Sequence, residues 1–238
     1  MMTVEEAHAG DILRLVRIMD SKLEKDLNRI GLSPGSTFVK FPKQEIERQS
    51  VRVRGEKTNV VLGGGMSAKI IVTRADGSKT PLSEMNSKEE GKIEALSGGP
   101  KLHETLETLG LKIGDRIKFL RKLPPMEYVA ALDKKTHLHL QEGIASKIWG
   151  VTENREIQFT SARVWKEFKV TKLLGGTRAQ RYLTSLGIKP GTSLILIGIE
   201  EGKRIGYGPK GHLAIETKDG LHIYLGPVEA DSIYVDVV

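Results

Sequence analysis

An internal repeat constrains this sequence more than any other feature. The pattern Leu-x3-Leu-x3-Gly-(Leu/Ile)-x2-Gly occupies residues 23–35 and 102–114, and it recurs at 179–191 with Ala179 in the first position. The central glycines of the three copies are 79 and 77 residues apart. Self-similarity at a fixed period indicates repeated supersecondary units, so one large undivided domain is not expected.

A second motif follows at the matching place in each copy. It reads Leu-x4-Ala-x2-Ile at residues 140–148 and 225–233. In the first copy three consecutive glycines, 63–65, predict a one-residue insertion, so that the motif runs over residues 62–71 with Ala68 as its alanine. Together the motifs predict three units. They cover residues 1–74, 80–152 and 158–238, with polar linkers at 74–80 and 151–156.

The pattern within one unit predicts its local structure. Leu23, Leu27 and Ile30 recur at i, i+4 and i+7, which places them on the buried face of a short helix. A glycine then ends the helix in the left-handed conformation. Apolar alternation predicts strands on both sides, and those before the helices cover 12–18, 92–96 and 168–174. The fold predicted is mainly β with short helices, as three tandem small β-barrels.

Composition excludes several classes of function. The chain of 238 residues has no cysteine, which rules out disulfides, thiolate zinc sites and a cysteine nucleophile. No serine nucleophile motif is present, and the acid pairs Glu89-Glu90 and Glu200-Glu201 fall in charged stretches expected to be solvated. We therefore expect no enzymatic activity. Without an apolar run of about 18 residues we expect no membrane insertion and a cytoplasmic location.

The net charge of +7 is spread along the chain. Residues 1–75, 76–152 and 153–238 carry +4, +1 and +2, and acids alternate with bases almost everywhere. A protein dedicated to nucleic acid more often concentrates its basic residues on one element. We therefore expect no nucleic-acid partner, although a nucleic-acid-binding small barrel remains a third alternative.

The ordered set of motifs resembles the FeoA family. The resemblance is carried by Pro81-Leu82-Ser83-Glu84-Met85, by the helix ending in Leu-Gly-Leu-x2-Gly, and by the final Leu-x4-Ala-x2-Ile. The third copy, from Leu183 to Val235, matches best, and the resemblance extends over nearly the whole chain. It implies SH3-like small barrels and a cytosolic, non-enzymatic role in ferrous iron uptake, with the FeoB transporter as the protein partner. Three fused copies depart from the single short domain usual in that family.

Two residues are candidate metal ligands. His137 and His139 are two residues apart in a predicted strand, so both face the same side, a spacing compatible with a metal pair. The resemblance makes Fe²⁺ the metal to consider, and a transition-metal-binding regulatory protein or corepressor is the main alternative function. Two ordinary histidines on an exposed strand are the commoner case, and His222 belongs to another unit.

Other motifs carry weaker signals. The string 206–211 has the spacing Gly-x-Gly-x-x-Gly but lacks the following helix, so it predicts a hairpin loop. The glycines at 63–65 lack the Lys-Ser/Thr of a phosphate loop and indicate a bulge or tight turn. Trp149 and Trp165 form either an exposed recognition surface or, as large aromatics more often do, packing between copies.

Overall fold

The computed structural model describes residues 1–41, 49–56, 58–132, 136–202 and 213–238. Within these residues each repeat has six strands and two α-helices, and short 3-10 helices lie at Leu82–Glu84 and Phe159–Ser161. The first repeat has β1 (Met2–Thr3), β2 (Ile12–Ile18), α1 (Ser21–Arg29), β3 (Thr37–Lys40), β4 (Val51–Arg54), β5 (Asn59–Leu62), α2 (Gly64–Ser67) and β6 (Ile70–Arg74). The second has β7 (Lys79–Pro81), β8 (Glu90–Leu96), α3 (Pro100–Thr108), β9 (Arg116–Lys122), β10 (Met126–Ala131), β11 (His137–Gln141), α4 (Glu142–Ala145) and β12 (Ile148–Thr152). The third has β13 (Arg155–Gln158), β14 (Glu167–Leu173), α5 (Thr177–Ser185), β15 (Ser193–Glu201), β16 (Leu213–Thr217), β17 (His222–Leu225), α6 (Pro227–Asp231) and β18 (Ile233–Val237).

The strands form three antiparallel sheets of six, and each sheet combines two repeats. Sheet I has the order β1-β18-β2-β3-β16-β17, sheet II the order β5-β4-β9-β8-β6-β7, and sheet III the order β11-β10-β15-β14-β12-β13. The first three strands of one repeat thus pair with the last three strands of the preceding repeat. The first repeat pairs with the third, so the exchange closes into a ring. The predicted fold class, mainly β with short helices, is confirmed.

The sheets do not follow the predicted units 1–74, 80–152 and 158–238, because the two halves of each unit lie in different sheets. The chain must therefore cross from one sheet to the next between its third and fourth strands. In the second repeat this crossover contains Pro124 and Pro125, which favour extended backbone and disfavour a tight reversal. Its ends are fixed by the Leu123 N–H, which donates to Ser50 O at 2.7 Å, and by the Gly202 N–H, which donates to Pro125 O at 2.9 Å.

Strand pairing corrects the predicted register of the first repeat. Ile70 lies opposite Leu96, as Ile148 lies opposite Leu173 in sheet III. The motif in the first repeat therefore ends at Ile70, eight residues after its leucine as in the other copies, and the predicted insertion is wrong. Ser67, which is fully buried, takes the place of the motif's alanine. The glycines at 63–65 lie at the start of helix α2 and do not form a β-bulge.

The two predicted linkers contain hairpin turns. Residues 75–78 connect the paired strands β6 and β7, and residues 153–154 connect β12 and β13, while the ends of both predicted stretches lie in the strands themselves. Gly77, Glu153 and Asn154 have positive φ values, as tight hairpin turns require. Their polar composition accompanies strand reversal within a sheet.

The helix and turn predictions are confirmed. Leu23, Leu27 and Ile30 are buried in one apolar cluster, and the predicted strand at 12–18 coincides with β2. The Asp20 carboxylate caps α1 by accepting from the N–H groups of Lys22 and Leu23. Gly31, Gly110 and Gly187 have φ between 73° and 89°, and they end the three long helices as expected.

The residue just before the leucine of the Leu-x4-Ala-x2-Ile motif has an equivalent place in all three sheets, and a neighbouring sheet covers it in two of them. Val61 of sheet II is covered by sheet III, and Tyr224 of sheet I is covered by sheet II, leaving 2% and 8% of these residues exposed. The corresponding residue of sheet III is His139, whose side chain is 53% exposed. Sheet III therefore keeps open a face that the other two sheets bury.

Candidate functional site

The open face of sheet III brings together two acids and one of the predicted histidines. Strand β10 lies between β11 and β15, with Glu127 directly opposite Glu200 and Val129 directly opposite His139. Residues two apart on a strand point to the same side of the sheet, so Glu127, His139 and Glu200 share one face. Three adjacent strands thus supply one side chain each.

The ligand atoms of these three side chains converge. One oxygen of each carboxylate and one ring nitrogen of His139 all lie within 4.8 Å of one another. His139 Nδ1 is 3.4 Å from Glu127 Oε2. Glu127 is partly buried, whereas His139 and Glu200 are exposed. The cluster is the arrangement in the described residues that comes closest to a metal site.

The other histidines considered from the sequence do not join this cluster. His137 lies on the same strand, opposite Ala131, and is not among the converging ligands. His222 lies in sheet I, where Glu84 approaches its Nδ1 at 3.3 Å and Glu216 approaches its Nε2 at 3.7 Å. The structure therefore groups His139 with two carboxylates, and the pairing of His137 with His139 stays a prediction.

Glu200 is exposed to solvent, as expected, and the pairing of β10 with β15 places it opposite Glu127. In the other acid pair Glu90 is exposed and accepts from Lys118, whereas Glu89 is partly buried and contacts Arg74. No sequence signal marks the approach of Glu127 to Glu200, because the two residues are distant in the chain.

The two tryptophans have different environments. Trp149 packs against the apolar cluster of sheet II, as expected for packing between copies. Trp165 is 69% exposed and lies with Val164, itself 47% exposed, at the tip of the loop between β13 and β14. The backbone of Trp165 has φ +63°, a region that non-glycine residues rarely occupy. The expected packing thus holds for Trp149 and not for Trp165.

A buried acid lies where sheet III meets sheet II. Glu142 is 5% exposed, and burial raises the pKa of its carboxyl to about 7, partly opposed by a hydrogen bond from the Tyr128 hydroxyl and by Arg52 and Arg121. A raised pKa often marks a catalytic acid. Here the carboxyl is enclosed between two sheets, so its effect is expected on stability.

The glycine motif at 206–211 lies outside the described residues.

Comparison with known proteins supports part of the family resemblance. The fold is a mainly β tandem-repeat architecture whose units exchange strands. Within it, residues 80–151 match the family model described as the FeoA domain, a small non-catalytic domain associated with ferrous iron transport. That stretch runs from β7 in sheet II to β12 in sheet III. No curated protein and no solved structure matches the chain. Among the described helices, none is long and apolar enough to cross a membrane.

Proposed function

We propose that this chain is a non-enzymatic accessory protein of ferrous iron uptake that acts by binding a protein partner, with the FeoB transporter as the candidate. The FeoA domain at 80–151 supports the connection to ferrous iron transport. The exposed pair Val164 and Trp165, hereafter the Trp165 tip, carries the proposal that the role is one of recognition.

The Trp165 tip differs from the same position in the other repeats. The N–H of Trp165 donates to Leu196 O, just as the N–H of Lys88 donates to Phe119 O and that of Gly10 donates to Lys40 O. All three residues have positive φ, a conformation that glycine adopts without strain. A strained backbone that presents a large apolar side chain to solvent is typical of a functional position.

The surroundings of the tip favour a protein partner. Tryptophan is among the residues that contribute most to binding energy in interfaces. Arg163 and Lys166 flank the tip, and both contact Glu153, at 3.3 Å and 3.7 Å, which orients the two basic side chains. A partner surface with an apolar pocket for Trp165 and an acidic rim would match this arrangement.

The experiment is a binding titration of the purified chain with the cytosolic domain of the cognate FeoB transporter. Trp165→Gly removes the ring and also the positive-φ strain, so it should raise the folding stability by roughly 1 kcal/mol while abolishing binding. Lys88→Gly relieves the equivalent strain in the second repeat and should bind like the native chain. Absence of binding by the native chain contradicts the partner proposal. Native-like binding by Trp165→Gly contradicts the role of the tip.

A transition-metal-binding regulatory protein is the second candidate function. The cluster of Glu127, His139 and Glu200 is the specific observation in its favour. Regulation would require that bound metal change the affinity for a partner, so the same titration repeated with Fe²⁺ under anaerobic conditions would reveal it. The expected cytoplasmic location and the expected lack of a nucleic-acid partner stay predictions.

A further inference from the structure

We propose that Glu127, His139 and Glu200 form a solvent-open binding site for one divalent transition-metal ion. The proposal goes beyond partner binding and does not depend on it. Each ligand belongs to a different strand of one sheet, and the register of β10 with both of its neighbours fixes their relative positions. Ligands on paired strands are held more precisely than ligands on loops.

Electrostatics supplies an argument independent of the ligand distances. Glu127 and Glu200 lie directly opposite each other on antiparallel strands, where two like charges destabilise the pair. In the described part of the chain, no lysine or arginine forms an ion pair with either carboxylate. In sheet II the equivalent facing positions are Ser50 and Leu123, so sheet II lacks the acid pair of sheet III. A bound cation would offset this repulsion.

The donor set indicates which cations would bind. Two carboxylates and one imidazole suit first-row divalent metals such as Fe²⁺, Mn²⁺, Co²⁺ and Zn²⁺, whereas Mg²⁺ and Ca²⁺ prefer oxygen ligands alone. The ligands approach from the sheet side, and the side chain of His139 is 53% exposed. Water would therefore complete the coordination, and the ion would exchange with solvent readily.

His222 provides a matched contrast within the same chain. It also has two carboxylates near its ring, but Glu84 is close to Nδ1 and Glu216 is close to Nε2. Acids on opposite sides of an imidazole cannot share one ion with it. Sheets I and III thus contain similar residue types, but the ligand atoms converge on one point only in sheet III.

The test is titration of the metal-free full chain with Fe²⁺ under anaerobic conditions by calorimetry, and with Co²⁺ by visible absorption. We expect one ion per chain. His139→Ala and Glu200→Gln should each weaken binding by at least about tenfold, whereas His222→Ala and His137→Ala should leave the affinity unchanged. Glu200→Gln should also raise the thermal midpoint of the metal-free chain, because it removes the like-charge pair.

Three results would overturn the site: no binding of either metal, undiminished binding by His139→Ala, or an equal loss in His222→Ala. Because FeoB is absent from this titration, a negative result leaves the partner proposal standing. A lack of FeoB binding likewise leaves the metal site standing.

Discussion

Two interfaces in this molecule have the same place in the repeat and different chemistry. Sheets I and II are joined by the ion pair of Lys69 with Glu229 at 3.2 Å and by a contact of His103 with Asp26 at 2.8 Å, beside apolar packing of Ile71 and Ala95 against sheet I. Sheets II and III are joined by amide hydrogen bonds and apolar packing, with Gln158 and Leu174 of the third repeat placed against sheet II. The repeat therefore preserves the arrangement of strands while the contacts between sheets vary.

The lysine at the start of the sixth strand shows the difference most directly. Lys69 pairs with Glu229, and Lys69 and the Gly99 N–H hold the pKa of that carboxyl below its usual range although burial opposes them. The equivalent Lys147 donates to Gly143 O at 2.6 Å, and burial lowers its pKa to about 8. Glu229 corresponds in the first repeat to Met66, which offers no charge to Lys147. The interface of sheets II and III therefore holds two groups, Lys147 and Glu142, whose charged forms are disfavoured by burial.

The largest expected effect comes from the amide of Gln158. Its Oε1 accepts from the Val61 N–H at 2.9 Å, and its Nε2 donates to Val61 O at 2.9 Å and to Ser146 O at 2.8 Å. Gln158→Ala should cost about 3 kcal/mol of unfolding free energy, since it removes three buried hydrogen bonds. Urea denaturation measures the loss. The control is Gln180, whose amide donates to Leu173 O and Gly175 O within sheet III. Gln180→Ala should cost less than half as much unfolding free energy. An equal cost would contradict the importance of the interface.

The second effect is a pH dependence at Glu142. Its pKa is about 7 in the folded chain and close to 4.5 when unfolded, so the folded state holds the extra proton and stability falls as the pH rises between these values. Glu142→Gln abolishes that fall. Relative to the native chain, the variant should gain about 2 kcal/mol between pH 5 and pH 8, measured by urea denaturation at both. A difference in unfolding free energy that does not change with pH would show that the pKa of the Glu142 carboxyl is not raised.

The smallest effect has opposite signs at the two equivalent lysines. Lys147→Met removes an ammonium group that is buried without a carboxylate and should stabilise the chain by about 1 kcal/mol at pH 7. This gain in stability should be smaller at pH 9.5, because the ammonium group of the native Lys147 loses its proton as the pH rises past its folded pKa of about 8.

Lys69→Met is the matched substitution at the other interface. It leaves Glu229 without its cation and should destabilise the chain by about 1 kcal/mol. Thermal unfolding of both variants at pH 7 gives the comparison. Effects of the same sign would show that the two interfaces do not differ as described.

Local structure was predictable because short-range patterns determine it. The spacing of Leu23 and Leu27 fixes a helix face, Gly31 fixes its end, and alternation located β2 to the residue. The repeat as a whole indicated the fold class. In the first copy the glycines at 63–65 led to the wrong prediction of an insertion, because glycines at the start of a helix have the same composition as glycines in a β-bulge.

The pairing of strands could not be read from the sequence. Equivalent strands of the three repeats carry the same alternation, so β2 presents a matching face to β6 and to β18 alike. The metal cluster escaped prediction for the same reason. His139 was identified from its own strand, whereas its approach to Glu127 and Glu200 depends on which strands lie side by side.

The exchange of strands between repeats is the central claim, and disulfide trapping tests it in a chain that has no native cysteine. Asp236 of β18 lies opposite Arg14 of β2, and its equivalent within the first repeat is Thr73 of β6. Directly opposed residues on antiparallel strands are within disulfide range. In the isolated monomer, Arg14→Cys with Asp236→Cys should oxidise to an internal disulfide, and Arg14→Cys with Thr73→Cys should not. The reverse result would mean that each repeat folds on itself.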